Sequence, residues 1–367
     1  VPHRTKIEFA DYSENPLRAM VGGRKGHMCA KISEGCVHCY SEAINHMFGN
    51  QADYSAANCK TATHYLDDKA LAHFLTFRPK GPYKGGARPK VFPFDMTDLF
   101  GDWVSDEMIL TVLVHFALRS DVDWLVLTKR ADRLRRSMND AMERLEGAVL
   151  RWHASQSFND YALSNKLPVH PLKVAERIRH REWWPLPNLW IGVSAENQKR
   201  ADERIPLLLK TPAAVRFVSY EPALGPVDFS SFLHCGYSRS DQQINGDHGL
   251  CRESGSGSRT GIDWALVGGE IGPKARPCSV DWIRSAVRQF AAAEVPLFVK
   301  QLGTKPVFDD YEASVEWPDG VYFDSSEDNE PDCPNIVILK DPKGGDPAEW
   351  PEDLRVRQFP PRVEAAK

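Results

Sequence analysis

Cys29, Cys36 and Cys39 form a C-x6-C-x2-C run near the start of the sequence. Thiolates are soft donors that suit iron–sulfur clusters and zinc. Three thiolates on one short loop can hold a cluster and leave one iron without a protein ligand, which is where chemistry could occur. A fourth ligand would close the site and make it structural, and His27, His38 or His46 could supply it as a Cys3His zinc site. Glu34, Gly35 and His38 around the last two cysteines describe a polar loop, which argues against a plain core role for the thiols. On spacing alone, cluster and zinc both stay open.

A second group of reactive side chains follows a series of short apolar runs. Phe92-Pro-Phe94 leads into Asp95 and Asp98, and Leu125-Val-Leu127 into Thr128-Lys-Arg130. Trp190-Ile-Gly-Val193 leads into Ser194 and Glu196, and Arg216-Phe-Val218 into Ser219 and Glu221. Ala265-Leu-Val267 leads into Gly268-Gly-Glu270, and Leu297-Phe-Val299 into Lys300-Gln301. In a (β/α) barrel the C-terminal strand ends share one rim, where active sites lie. Asp98, Ser194 and Ser219 could instead cap the next helix. Glu196, Glu221 and Glu270 are too long to be favoured caps, so as a set these residues predict a polar cavity.

The elements that must carry them read as follows. Strands are expected at 90–94, 123–128, 188–193, 214–219, 262–267 and 295–299, with an earlier candidate at 5–9, because continuous apolar runs suit strands buried on both faces. Helices are expected at 105–119, 131–145, 197–209 and 279–293. Strand–helix alternation of this kind predicts a parallel α/β fold, with a closed or partial (β/α) barrel preferred over a doubly wound sheet. No Gly-x-Gly-x-x-Gly follows the first strand, which weakens a dinucleotide-binding version. The stretches 151–187 and 232–261 read as insertions. Residues 304–367 read as an irregular tail packed on the barrel, with a strand at 335–339. One elaborated domain is expected.

The bulk properties set limits. The 367 residues carry 46 basic and 50 acidic side chains and are 42% hydrophobic, so a sizeable core is expected and no global basic field advertises nucleic acid. No stretch approaches the ~20 apolar residues of a membrane span. With no export signal at the start of the sequence, the eight cysteines are not expected to form a disulfide framework; a reducing, cytoplasmic setting favours metal binding or chemistry, and the isolated Cys59, Cys278 and Cys333 are expected to be inert. His234, Cys235, His248 and Cys251 are a looser candidate for a second metal site, for which scattered loop polarity is the preferred reading.

The cysteine run ending in Tyr40, together with Ile191-Gly-Val-Ser-Ala-Glu-Asn-Gln198, Ala201-Asp-Glu-Arg-Ile-Pro-Leu-Leu208, Ser219-Tyr-Glu-Pro-Ala-Leu-Gly-Pro226, Trp264-Ala-Leu-Val-Gly-Gly-Glu270 and Phe298-Val-Lys-Gln301, resembles the phage-associated three-cysteine-motif family of radical-SAM-like proteins. The resemblance covers roughly residues 5–303. It implies a partial (β/α)6 barrel of the TIM type and a [4Fe–4S] cluster on Cys29, Cys36 and Cys39. S-adenosylmethionine would chelate the fourth iron, and its reductive cleavage would give a 5′-deoxyadenosyl radical. The resemblance further implies that His38 lies near the adenine and that Tyr40, Asp95, Ser194, Glu196 and Glu221 bind the cofactor. Glu270, Lys300 and Gln301 would carry catalysis. The first spacing is three residues longer than in the commonest radical-SAM pattern, and Gly268-Gly-Glu270 follows a late strand where that family's signature follows an early one. Expected partners are S-adenosylmethionine, an electron donor such as a flavodoxin or ferredoxin, and a nucleobase, nucleoside or DNA as substrate. Arg24-Lys25, Lys129-Arg130, Arg133, Arg135-Arg136 and 177–181 could contact phosphates, although solvated helix faces explain each run. The competing expectation is a zinc-containing, non-redox module or hydrolase whose strand-end carboxylates act as acid and base.

Overall fold

The computed structural model describes residues 2–86, 88–155, 167–233, 261–308, 316–319, 321–324 and 335–361. The chain is a mixed α/β protein with mostly parallel strands. It divides into two compact units, residues 1–193 with 210–215 and 361–367, and residues 194–209 with 216–360.

The first unit carries strands β1 (His3–Arg4), β2 (Tyr12–Glu14), β3 (Leu17–Val21), β4 (Arg24–Gly26), β5 (Thr63–Leu66), β6 (Lys90–Pro93), β7 (Asp123–Thr128) and β8 (Leu189–Ser194). Its helices are α1 (Tyr40–Phe48), α2 (Ala56–Thr61), α3 (Asp68–Thr76), α4 (Asp106–Leu118), α5 (Ala131–Ser155) and α6 (Pro171–Arg179). The main strands run in the order β1-β2-β6-β7-β8, antiparallel between β1 and β2 and parallel thereafter. β6 and β8 are buried at every residue, which is why they read as unbroken apolar runs. β3 is the middle strand of a small antiparallel sheet, β4-β3-β5. α4 starts where Ser105 accepts a hydrogen bond from the Met108 N–H, and it buries Ile109, Leu110, Val112 and Leu113.

Two expectations change here. Residues 5–9 are not a strand. Thr5, Lys6, Ile7 and Glu8 are exposed or half-exposed, and pairing to β6 starts only at Tyr12. The Asp11 carboxylate sets that start by accepting from the Lys84 and Lys90 N–H groups at 2.8 and 2.9 Å. The helix expected at 131–145 continues to Ser155, because Ala148 and Val149 prolong the buried stripe of Leu134, Met138, Ala141 and Leu145. With α6, which starts on Pro171, part of the stretch read as an insertion is therefore regular structure.

The second unit carries β9 (Val215–Tyr220), β10 (Trp264–Gly268), β11 (Cys278–Ser279), β12 (Leu297–Gln301), β13 (Pro306–Phe308), β14 (Tyr322–Asp324) and β15 (Asn335–Ile338), with α7 (Gln198–Leu209) and α8 (Val280–Ala292). β9, β10 and β12 are parallel neighbours in that order, and α8 crosses between β10 and β12. A second sheet has the order β11-β13-β15-β14. The C-terminal segment lies along β12. The Val299 N–H donates to the Val356 carbonyl, the Gln358 N–H donates to Leu297, and Phe359 stacks on Trp264 at 5.4 Å. No pairing among the described residues closes the strands into a barrel. No described helix is long and apolar enough to cross a membrane.

Candidate cysteine site and strand-end polar groups

In the first unit the three cysteines sit on the loop that enters α1. Cys36 ends a short 3-10 turn, its N–H donating to the Ser33 carbonyl, and Cys39 is the residue before the first turn of α1. All three are half-buried free thiols. The loop is fixed on both sides of Cys29. The Thr97 hydroxyl donates to the Met28 carbonyl at 2.6 Å, and the Arg130 guanidinium donates to the Ala30 carbonyl at 3.0 Å. Arg130 is itself held by the buried Asp98 carboxylate at 3.1 Å and lies over the Trp103 ring. Asp98 also accepts from the Thr128 hydroxyl and the Lys129 and Phe100 N–H groups. Charge burial is tolerated here because every contact is a charge-assisted hydrogen bond. Loss of hydration pushes the Cys29 thiol well up. Asp98 adds to this, Arg130 opposes it, and Cys39 and Cys36 add again, so the three thiols are electrostatic neighbours.

A single tetrahedral zinc ion needs thiolates about 3.8 Å apart. Among the described residues, the group of three metal-ligand side chains whose donor atoms lie within 4.8 Å of one another is Glu42, His46 and Asp53, and the three cysteines do not form such a group. A cubane cluster binds each thiolate on a different iron, so it does not demand that convergence. His27 is engaged at both ring nitrogens, with the Leu17 carbonyl at 3.1 Å and the Arg18 guanidinium at 2.6 Å. Burial, then Arg18, depress it to about 4, so it is a neutral core histidine and not the fourth ligand considered above. His46 pairs with Asp53 at 3.1 Å. His38 lies half-buried in the turn between Cys36 and Cys39.

Tyr40 and Asp95, both expected to bind a cofactor, are brought together. The Tyr40 and Ser41 hydroxyls donate to the Asp95 carbonyl at 2.8 and 2.7 Å, tying the start of α1 to the end of β6. The Asp95 carboxylate accepts from the Asn15 amide at 2.5 Å. Burial raises its pKa, with the Asn15 hydrogen bond opposing.

In the second unit the structure brings together Glu221, Lys300 and Gln301. The Glu221 carboxylate oxygen Oε1 accepts from Lys300 Nζ at 2.5 Å and from Gln301 Nε2 at 2.7 Å. Gln301 Nε2 also donates to the Gly269 carbonyl, while the buried Gln301 Oε1 has no hydrogen-bond partner among the described residues. Gly268-Gly269 is a spacing device. A Cβ at Gly269 would sit 2.2 Å from the Leu302 carbonyl, and one at Gly268 would sit 3.0 Å from Gln301 Nε2. Glu270 does not offer a free carboxylate, for Arg276 donates to it from its backbone N–H at 2.9 Å, from Nε at 2.9 Å and from Nη2 at 2.6 Å. Ser194 and Glu196 form a separate buried group, with the Arg204 guanidinium donating to the Ser194 carbonyl at 2.7 Å and to Glu196 at 2.9 Å.

Asn15, Thr97, Arg204 and Arg276 were not singled out from the sequence. Arg204 had a signal, since it shares the buried stripe of α7 with Ala201, Ile205 and Leu208. Among the basic residues offered as phosphate contacts, Arg130 is buried against Asp98, Arg133 pairs with Asp106, Arg135 and Arg136 pair with Asp132, and Arg179 pairs with Glu146. Arg133, Arg135, Arg136 and Arg179 thus lie on helix faces laced with ion pairs, whereas Arg130 just precedes α5 with its side chain buried. His234, Cys235, His248 and Cys251 lie outside the described residues.

The chain is thus an α/β protein with a three-thiol loop pinned to strand-end residues in one unit and a Glu–Lys–Gln group at strand ends in the other. A family model described as protein of unknown function (DUF5131) matches residues 4–325, and the chain belongs to that family. No curated protein and no solved structure matches it.

Proposed function

We propose that this chain is a radical S-adenosylmethionine enzyme built on a partial (β/α)6 barrel. Cys29, Cys36 and Cys39 would hold a [4Fe–4S] cluster. The donor set fits in kind, with three soft thiols on one loop, while both ring nitrogens of His27 are engaged elsewhere. The observation that carries the reading is the double pinning of the loop at Met28 and Ala30 by Thr97 and Arg130. Preorganised ligands are what a cofactor site requires. When bound, the cluster would supply the electron that cleaves S-adenosylmethionine to methionine and a 5′-deoxyadenosyl radical.

The residues of the chain then have defined tasks. Arg130 and Asp98 hold the loop and exclude water from the Cys29 side. Asp95, tied in place by hydrogen bonds from Tyr40, Ser41 and Asn15, is a candidate acceptor for the cofactor amino group or ribose hydroxyls, and His38 is a candidate neighbour of the adenine. In the second unit, Gln301 Oε1 would accept from an N–H or O–H of a substrate, with Glu221, itself paired with Lys300, fixing the Gln301 amide. Glu196 and Ser194 are ordered through Arg204, and Glu270 through Arg276. The expected substrate class, a nucleobase, nucleoside or DNA, rests on the family resemblance alone.

The test is anaerobic reconstitution with iron and sulfide, then reduction with dithionite in the presence of S-adenosylmethionine. The expected product is 5′-deoxyadenosine, absent from a Cys36→Ala variant. An intact cluster that yields none above background would defeat the proposal. Zinc near one per chain, with no iron or sulfide, would favour the non-redox alternative.

A further inference from the structure

We propose that Glu42, His46 and Asp53 bind a divalent transition-metal cation of the zinc type, at a site separate from the three cysteines. Glu42 and His46 stand one turn apart on the same side of α1, and Asp53 comes from the loop that follows the helix. One donor atom from each lies within 4.8 Å of the other two. His46 Nε2 and Asp53 Oδ1 are 3.1 Å apart, close to the edge of about 3.4 Å in a tetrahedral zinc site with nitrogen and oxygen ligands. The framework around the three is fixed. The Asn45 amide, on the buried side of α1, donates to Asn50 Oδ1 at 2.8 Å and to the Ala52 carbonyl at 3.3 Å, and the Ala52 N–H donates to Asn50 at 3.1 Å. On the other side of Asp53, the Tyr54 N–H donates to Glu42 Oε1 and the Tyr54 hydroxyl to the Met96 carbonyl, both at 2.8 Å. The Asp53 carbonyl itself accepts from the Asn58 amide at 2.9 Å. Both neighbours of Asp53 are therefore fastened, and its carboxylate meets His46 on a backbone that is ordered before any ion arrives.

Charge and donor type choose the ion. An exposed His–Asp pair contributes little by itself, and these side chains are 42% and 77% exposed. The third ligand changes its character. Carboxylate oxygens as close as those of Glu42 and Asp53 repel one another unless a cation stands between them. The structure shows a cation drawn there, for Lys31 Nζ lies 2.6 Å from Glu42 Oε2. Lys31 is 40% exposed and pairs only with Glu42 among the described residues, so it can swing into water and leave the oxygen to a stronger occupant. A divalent ion would exchange one carboxylate contact of an ammonium for two carboxylates and an imidazole. That mixed set suits zinc and cobalt, whereas calcium and magnesium take oxygen ligands and soft ions prefer thiolates. Zinc also outranks ferrous iron on such donors, so iron added in reconstitution is not retained here. Three protein ligands leave a coordination position to water, the open arrangement and not the closed structural one.

The test is titration of the full chain with zinc, read by calorimetry, and with cobalt, read by absorbance. It compares the wild type with a Cys29→Ser/Cys36→Ser/Cys39→Ser variant, which lacks the thiols. Circular dichroism checks that each variant folds. The thiol-free variant is expected to bind one ion per chain, with weak visible cobalt bands and no thiolate-to-cobalt charge transfer in the near ultraviolet. In that background His46→Ala or Asp53→Asn should weaken zinc tenfold or more. Lys31→Met, which removes the competing cation, should tighten zinc threefold or more, a gain that no loss of folding can mimic. In the wild-type background His46→Ala and Asp53→Asn should each remove one zinc per chain and leave any thiolate–cobalt band unchanged. Zinc retained without the thiols belongs to this site, so the outcome is independent of what the cysteines bind. A folded thiol-free variant that binds neither ion would overturn the proposal, as would zinc binding there that His46→Ala and Asp53→Asn leave intact. Unchanged or weaker affinity in Lys31→Met would remove Glu42 from the site and overturn it as well.

Discussion

The Arg130 guanidinium donates to the carbonyl of Ala30, a hundred residues earlier in the chain, while the buried Asp98 carboxylate holds it from the other side. The loop that carries Cys29 is thereby fastened to the ends of β6 and β7.

Removing Arg130 leaves Asp98 buried without its charge partner. Breaking a buried pair in this way costs about 3–5 kcal/mol. Arg130→Leu should lower the denaturant midpoint accordingly and reduce iron retained after reconstitution. Thr128→Val, which removes one of several donors to Asp98, should cost about 1 kcal/mol. A variant Arg130→Leu with unchanged midpoint and iron content would show that the clamp is idle.

Asp95 makes the opposite case. Its folded pKa lies above the ordinary value of 3.8, so ionising it opposes folding. That penalty is absent well below 3.8, grows as pH rises through the folded pKa, and is complete above it. Asp95→Asn keeps an acceptor for Asn15 and should match or exceed wild-type thermal stability at pH 7, with the gain fading toward pH 4. It should nevertheless weaken S-adenosylmethionine binding by tenfold or more in a titration calorimeter. Lower stability at pH 7 would refute the first statement, and unchanged binding the second.

The cysteines and histidines of the loop should differ in metal retention. Ser at Cys29, Cys36 or Cys39 is expected to remove most iron from reconstituted protein, measured by elemental analysis and visible absorbance. His46→Ala should leave iron content unchanged, because His46 serves Asp53. Equal loss of metal in the histidine variant would instead indicate a mixed Cys–His site.

The two glycines after β10 should respond unequally. Gly269→Ala drives a Cβ against the Leu302 carbonyl, which is backbone and cannot yield, so a loss of about 1–3 kcal/mol or more is expected. Gly268→Ala meets the Gln301 side chain and should cost less stability but disturb the Gln301–Glu221 contact. Thermal unfolding of both variants separates the two outcomes.

Six strands could be read from their apolar runs because both faces of each are covered, and hydrophobicity alone then marks them. The small β4-β3-β5 sheet escaped notice, although Gly22 and Gly23, with φ of +54° and +79°, sit between two short strands in the manner of a tight hairpin turn. Cys29, Cys36 and Cys39 were legible because all three fall on one loop. The Asp98–Arg130–Ala30 clamp was not, since its members are remote in sequence and an arginine beside a lysine reads first as surface charge. Glu270 was legible as a strand-end carboxylate, but its capture by Arg276 depends on how the turn after Gly272 folds back, which no spacing encodes.

The fastening of the chain on either side of Cys29 has a consequence for assembly. A zinc finger is unfolded until its ion arrives, so metal affinity and folding are one quantity. Here the carbonyls of Met28 and Ala30 are bound by Thr97 and Arg130, with hydrogen bonds that owe nothing to a metal. Were those thiols to hold the cluster proposed above, a chelator would strip it and leave the melting curve almost where it was, because the loop keeps its shape without it. The cluster would meet a preformed receptacle, not a chain that folds around it.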